Sequence, residues 1–300
     1  MQRSVEIVEV GPRDGLQNES IHIATADKVA LVERALAYGI RRIEVASFVN
    51  PRRVPQMADA EAVVAALPER DDVTWIGLVL NERGAERALA TRIDQLGAVA
   101  VSTDSFAMRN QGQTSDESVA VATRIAALAH AAGRTAQATI ASSFGCPFEG
   151  EVDPDHVVAM AVRMAEAGMV EIALADTIGV AVPAQVSSLV ARVAAAIAPL
   201  PVRVHLHDTR NTGIANVWAA VEAGAATIDA ALGGLGGCPF APGAAGNVAT
   251  EDTVYMLERS GVATGLDLHA VIDASNWLSG IMGKPLPGRL ARTGGFPKPA

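Results

Sequence analysis

Short apolar runs alternate with longer stretches in which apolar side chains recur at i, i+3 and i+4, from the N-terminus almost to the C-terminus. The runs at 5–10, 43–46, 73–79, 98–102, 136–141, 171–175, 202–207 and 227–231 have the length and β-branched content of strands. The stretches at 27–38, 56–67, 117–132, 154–167, 183–197 and 214–223 carry the helical period. Tyr38-Gly39, Ala132-Gly133, Ala167-Gly168 and Ala223-Gly224 each place a glycine where a left-handed cap ends a helix before the next strand. No Pro/Ser-rich linker or charge block divides the series, which predicts one barrel of eight strand–helix units. The first turn, GPRDGLQNE, is not a GxGxxG fingerprint, so the pattern fits a (β/α)8 TIM barrel better than an open doubly wound α/β sheet. The barrel is expected over 1–265. A short helical extension follows over 266–300, with a helix near 267–282 and a frayed GGFPKPA tail.

Composition narrows the function. The chain has 300 residues with 24 Lys+Arg against 33 Asp+Glu, a formal charge of −9, and an isoelectric point near 5.2. That balance argues against a nucleic-acid partner, which needs a basic field to displace phosphate counterions. Mean hydropathy is +0.25, yet the longest apolar stretches, such as 186–200, are interrupted by Ser and Arg and fall short of the roughly 20 residues a bilayer requires. The N-terminus MQRSVEIVEV opens directly on a strand pattern without a signal h-region or transit character, so a cytoplasmic, non-membrane protein is expected. Aromatics make up only 4%, which predicts an aliphatic, Ala-rich core. Cys146 and Cys238 are too few for a disulfide framework, and each is free to serve packing or chemistry.

A TIM barrel places its chemistry where strands end and loops begin. Those places here hold Arg13 and Asp14, Glu44 and Ser47, Asp104, Ser142 and Cys146, Asp176, His205 and His207, then Cys238 and Asn247. In V-R-V-H-L-H-D the two histidines stand at i and i+2, on one side of a strand and about 7 Å apart at the backbone. Two imidazoles so placed could share one cation; the plainer alternative is one satisfied core histidine and one surface residue. Asp14 would add a hard carboxylate and Asn247 an amide oxygen, a set suited to Mg, Mn or Zn with open positions, and the absence of any CxxC argues against a structural zinc site.

Arg13 sits in a Gly-Pro-Arg-Asp-Gly turn, where it is either a surface ion pair of little worth or a preorganised cation for a developing oxyanion. Alternation puts Glu44 on the side of Ala46, inside the barrel, where a carboxylate needs a partner such as Arg13; structural and catalytic roles are equally open. Segment 233–247, GGLGGCPFAPGAAGN, has six glycines and two prolines, which lets its backbone approach a ligand closely. It reads as an active-site loop rather than a linker, with Cys238 able to reach substrate as a proton donor or acceptor. Cys146, in FGCPFEG, reads as structural.

The runs EVGPRDGLQNE (9–19), IEVASFVNP (43–51), FGCPFEG (144–150), ADTIGV (175–180), VHLHDT (204–209) and GGLGGCPFAPGAAGNVATEDTVYML (233–257) resemble the 3-hydroxy-3-methylglutaryl-CoA lyase family, in order and over essentially the whole chain. Related pyruvate-using condensing synthases share the Arg-Asp turn and the His-x-His strand, but not the Cys-containing glycine loop. The resemblance implies that Asp14, His205, His207 and Asn247 bind Mg or Mn, that Arg13 stabilises an enolate oxygen, and that Cys238 is the catalytic thiol. Glu44 and Asp176 would act in acid/base or supporting roles, and Arg13, Gln17, Ser47, Asn110, Gln137 and Thr139 would line the substrate. The implied reaction cleaves a hydroxyacyl-CoA to acetyl-CoA and a keto acid, and the implied assembly is a homodimer for which the terminal helices offer a surface.

The chain departs from the family's pattern at Gln137 and Thr139, where the family carries Arg and Tyr, at Ala173 for a Ser, and at Arg210 and Asn211 for Tyr-Gly. None of these is in the expected metal set; together they change the polar lining beyond the scissile bond. The expected substrate is therefore HMG-CoA or a related hydroxyacyl-CoA such as citramalyl-CoA. A condensing synthase and a catalytically inactive CoA-binding paralogue are the remaining rivals.

Overall fold

The computed structural model describes residues 3–237 and 245–297. Its elements run β1 (Glu6–Glu9), α1 (Thr25–Ala37), β2 (Arg42–Ser47), α2 (Ala60–Ala66), β3 (Thr74–Val79), α3 (Glu82–Leu89), β4 (Gln95–Val101), α4 (Asp104–Gln111), α5 (Ser115–Ala131) and β5 (Thr135–Ala141). They continue with α6 (Pro154–Glu166), β6 (Ile172–Asp176), α7 (Pro183–Ile197), β7 (Val202–Leu206), α8 (Gly213–Glu222), β8 (Thr227–Ala230), α9 (Thr250–Arg259), α10 (Leu268–Met282) and α11 (Leu290–Thr293). The eight strands pair in parallel in sequence order, and β8 returns to β1 with Glu6 opposite Thr227 and Glu9 opposite Ala230, closing the (β/α)8 barrel expected from the sequence.

Periodicity explains the packing. Leu31, Val32 and Ala35 of α1, Val119, Ala122 and Ile125 of α5, Val157, Met160 and Met164 of α6, and Val186, Val190 and Val193 of α7 recur at three- and four-residue spacing. All are buried in one apolar layer between helices and barrel, where each large side chain contributes about 1.5–3 kcal/mol relative to exposure. Among the described residues no helix is long and apolar enough to cross a membrane.

Four details differ from the sequence reading. The stretch at 56–67 is a short 3-10 turn (Pro55–Met57) followed by α2, because the Asp59 carboxylate between them is taken by Thr25 Oγ1 at 2.7 Å and Lys28 Nζ at 2.6 Å. Strand β4 begins at Gln95, three residues ahead of the apolar run, since Gln95, Leu96 and Gly97 pair with Thr135, Ala136 and Gln137. Helices α3 and α4 carry too few apolar residues to stand out by period; α3 is set by Asn81, whose side chain accepts the Gly84 amide. In β2 the register shifts between Glu44 and Ala46, which interrupts the alternation that put both on one side.

After the barrel closes, α10 lays Val271, Ala274, Leu278 and Met282 against the core, beside α1 and α9. The buried Glu251 of α9 joins this helix to the segment leaving β8: it accepts the Ser275 hydroxyl at 2.8 Å and the Gly233 amide at 3.0 Å. Burial pushes its pKa up to about 7 despite those hydrogen bonds. The folded state thus holds this proton more tightly than the unfolded chain. The resulting stability is complete below the ordinary carboxylate range and is lost as pH rises through about 7. Chemical denaturation of wild type and Glu251→Gln from pH 4 to 8 should show wild type losing roughly 3 kcal/mol relative to the variant across that window. Parallel pH profiles would contradict the shift.

Candidate active site

The C-terminal ends of the strands open into a cleft of about 650 Å³. The GPRDG turn folds into its wall as one wide turn, with the amides of Arg13, Asp14 and Gly15 all approaching the Val10 carbonyl at 2.8–3.2 Å. Two glycines permit this by close approach. A side chain at Gly11 would strike the Glu9 carboxylate, which accepts the Gly11 amide at 2.8 Å and the Leu232 amide at 2.9 Å; one at Gly15 would press on Leu235. The turn is thereby anchored to the exit of β8.

Asp14, His205 and His207 each direct one ligand-type atom to a common point, all within 4.8 Å of one another. His205 Nε2 lies 3.2 Å from His207 Nε2 and 3.9 Å from Asp14 Oδ2. On its far side His205 Nδ1 is 3.1 Å from Asp229 Oδ2, an acceptor only, so Nδ1 is the donor of that pair and the ring is oriented with Nε2 toward the cluster. His207 Nδ1 is buried without a partner among the described residues. Asn247 joins through its amide nitrogen, which donates to Asp14 Oδ2 at 2.7 Å and the Leu235 carbonyl at 3.0 Å, while its Oδ1 is buried and has no partner among the described residues. Arg13 bridges two carboxylates, with Nε on Glu44 and Nη1 on Asp14.

Charge follows geometry. Burial opposes ionisation of Asp14, but Arg13 and the two imidazoles outweigh it and hold the carboxyl well below its ordinary range. Burial also works against protonation of His205; its hydrogen bond to Asp229 and the charge of Asp14 reverse that and raise its pKa. For His207, burial and the neighbouring His205 act together and push it to about 4, so it is neutral at pH 7. An ionised carboxylate and a buried, neutral imidazole beside a second one, with Asp14 Oδ2 and the two Nε2 atoms facing the same point, form a donor set suited to a divalent ion, which binds as His205 gives up its Nε2 proton.

Arg13, Asp14, Gln17, Glu44, Asn110, Thr139, His205 and His207 all line the cleft. Ser47 and Gln137 do not: both are wholly buried, and neither the Ser47 hydroxyl nor either amide atom of Gln137 has a partner among the described residues. Asp176 is also off the cleft wall, its two oxygens accepting the amides of Val180 at 2.9 Å and Ala181 at 3.0 Å, and burial raises its pKa against those bonds. Cys238 lies outside the described residues. Cys146 is buried and accepts the Thr103 hydroxyl at 3.1 Å, while Asp104 turns to the Ser115 amide at 2.8 Å. Arg210 holds the loop after β6 through the carbonyls of Ile178 and Gly179, at 2.8 and 2.9 Å, and Asn211 takes a left-handed backbone with φ of 60°.

Asp229 and Glu9 were missed in the sequence. Each is a carboxylate on a strand among apolar neighbours, T-I-D-A and I-V-E-V, and such a residue needs buried partners. Glu9 has four: beyond the two amides, it accepts Tyr38 Oη at 2.7 Å and Thr250 Oγ1 at 2.8 Å.

The profile of the HMGL-like family matches residues 4–278. The chain belongs to this family. Among HMGL-like relatives, an (R)-citramalyl-CoA lyase of Chloroflexus aurantiacus is 45% identical over 97% of this chain and 95% of its own length. A hydroxymethylglutaryl-CoA lyase of Bacillus subtilis is 39% identical over 96% of each chain. The solved structure of an HMG-CoA lyase from Acinetobacter baumannii, in complex with coenzyme A and 3-methylmalate, superimposes with a TM-score of 0.93 at 39% identity, covering 99% of this chain and 98% of that one. The lyase resemblance read from the sequence motifs therefore holds over the whole barrel.

Titration of chelator-treated protein with Mn²⁺ checks the donor set. Asp14→Ala and His207→Ala should each weaken binding by at least about a hundredfold, and Asp229→Asn by about ten- to a hundredfold through loss of His205 orientation. Wild-type affinity in Asp14→Ala would place the ion elsewhere.

Proposed function

We propose that the protein is a divalent-metal-dependent hydroxyacyl-CoA lyase, cleaving a tertiary 3-hydroxyacyl-CoA of the 3-hydroxy-3-methylglutaryl type to acetyl-CoA and a keto acid. The observation that carries this reading is the Asp14–His205–His207 cluster beside Arg13 in one cleft. The CoA-bound relative and the lyase names of the other relatives support the thioester as substrate.

The chemistry requires that the C3 hydroxyl lose its proton, that the C2–C3 bond break with its electron pair passing to C2, and that the resulting enolate gain a proton at C2. Asp14, His205 and His207 would hold Mg²⁺ or Mn²⁺, with Asn247 supporting the Asp14 carboxylate through its amide nitrogen and offering its Oδ1, which has no partner among the described residues, as a further ligand atom; such an ion supplies a Lewis acid that eases loss of the hydroxyl proton. Arg13 is kept charged, because Glu44 and Asp14 outweigh its burial, and its guanidinium stabilises the enolate oxygen. Glu44 acts through Arg13, fixing its plane from the Nε side. Cys238, which follows the cleft-lining Gly237 in the sequence, would deliver the C2 proton. Asp176 supports the loop that follows β6 rather than the reacting atoms.

A second reading changes only the acyl group. Citramalyl-CoA, cleaved to acetyl-CoA and pyruvate, is favoured by the 45% identical relative and by a small hydroxyl, Thr139, on the cleft wall. A panel of hydroxyacyl-CoA thioesters with Mg²⁺ or Mn²⁺, read by release of acetyl-CoA, separates the two. Turnover on HMG-CoA supports the first and turnover on citramalyl-CoA alone the second, while no cleavage of any thioester contradicts both. Cys238→Ser should lower kcat by at least about a hundredfold and leave Mn²⁺ affinity within about twofold; equal losses in both would show that the thiol belongs to the ion rather than to proton transfer.

A further inference from the structure

The interior of a TIM barrel is usually filled by branched aliphatic side chains in layers. Here a ladder of alternating charge runs through it instead. From the bottom rim upward, Glu6 pairs with Arg42 at 2.8 Å, Arg42 with Glu171 at 2.8 Å, Glu171 with Arg203 at 3.6 Å, Arg203 with Asp229 at 3.5 Å, and Asp229 with His205 at 3.1 Å. The upper rung is the informative one. Arg203 is only 1% exposed, and its Nη2 donates to Thr139 Oγ1 at 3.2 Å, the one hydrogen bond of that hydroxyl among the described residues. Thr139 lines the cleft. A hydroxyl that accepts from a guanidinium keeps its own proton free to donate. The Arg203 side chain therefore donates a hydrogen bond to the hydroxyl facing the substrate space and, through Nη1 at 3.5 Å, sets its charge against the carboxylate behind His205 without a hydrogen bond to it among the described residues.

We propose that Arg203 is a positioning residue for the cleavage reaction: one buried guanidinium sets its charge against the Asp229 carboxylate that orients His205, and holds Thr139 so that its hydroxyl donates to an anionic oxygen of the acyl group. Strand alternation puts Arg203 on the same face as His205 and His207, so the ladder and the ligands are one side of one strand. The consequence for substrate is specific. An acyl group with a carboxylate or carbonyl oxygen next to Thr139 gains a donor backed by positive charge, whereas an apolar arm there gains nothing. The substrate half of this inference rests on the lyase reading; the metal half does not.

The test uses the full-length protein with Arg203→Lys, Thr139→Val and the double variant, each checked for folding by circular dichroism and thermal melting. Arg203→Lys keeps the charge but loses the fork, and should weaken Mn²⁺ binding at least fivefold and raise KM for the cleaved thioester at least tenfold. Thr139→Val should raise KM by a similar factor with Mn²⁺ affinity unchanged. The double variant should raise KM no further than Arg203→Lys alone, because both act on one hydrogen bond. A folded Arg203→Lys with wild-type Mn²⁺ affinity and KM, changed only in melting temperature, would overturn the proposal by showing a purely structural role. If Arg203→Lys does not fold, Thr139→Val decides, and a wild-type KM in it overturns the proposal. Should no thioester be cleaved even by wild type, the lyase reading fails while the Mn²⁺ comparison still judges Arg203.

Discussion

Asp14 carries a negative charge inside the mouth of the barrel, and much of the surrounding structure serves to keep it there. A buried carboxylate is costly unless it is paired and hydrogen-bonded. Asp14 is met by the Arg13 guanidinium on one side, by the Asn247 amide on another and by the two imidazoles in front. Each partner is itself committed. Arg13 is shared with Glu44, Asn247 is tied to the Leu235 carbonyl, and His205 is held from behind by Asp229. The turn that presents Arg13 and Asp14 depends in turn on Glu9, whose carboxylate gathers amides and hydroxyls from four separate segments. The first strand, the exit of the last strand at Leu232 and Leu235, and Asn247 are thus tied together around one charged residue.

Much of this was legible in the sequence, for physical reasons that can be named. Barrel closure follows from eight repeats of one hydrophobic period, and the histidine pair follows from alternation on a strand. The metal-type cluster of Asp14, His205 and His207 and the Arg13–Glu44 pair were both within reach of that reasoning. What escaped it depends on chain segments far apart in sequence. Asp229 and Glu9 sit on strands as single carboxylates among apolar residues, and only the folded barrel shows what each is bonded to. The register shift beside Glu44 is set by pairing with β3, not by any local signal in I-E-V-A-S. Gln137 differs in the other direction: the family resemblance implies a substrate-lining residue there, but its side chain is wholly buried two residues before Thr139 on β5, with its amide beside Gly97.

The same layering relates specificity to the scaffold. The cleft wall is supplied by side chains whose own supports lie deeper, so that a change at Arg203 or Glu9 alters the site without touching what enters it. Such supporting groups are what hold ligands and donors in productive geometry. Differences in acyl group among such lyases are then expected at the cleft wall and in the layer below it, where this chain carries Thr139, Gln137 and Ala173.

The central claim is that Asp14, His205 and His207 converge on one divalent ion. Anomalous diffraction from crystals soaked in Mn²⁺ tests it most directly. A single strong manganese peak bonded to the Asp14 carboxylate and to Nε2 of both histidines is the predicted result. A peak bonded to other residues, or no peak at Mn²⁺ concentrations that support turnover, would contradict it.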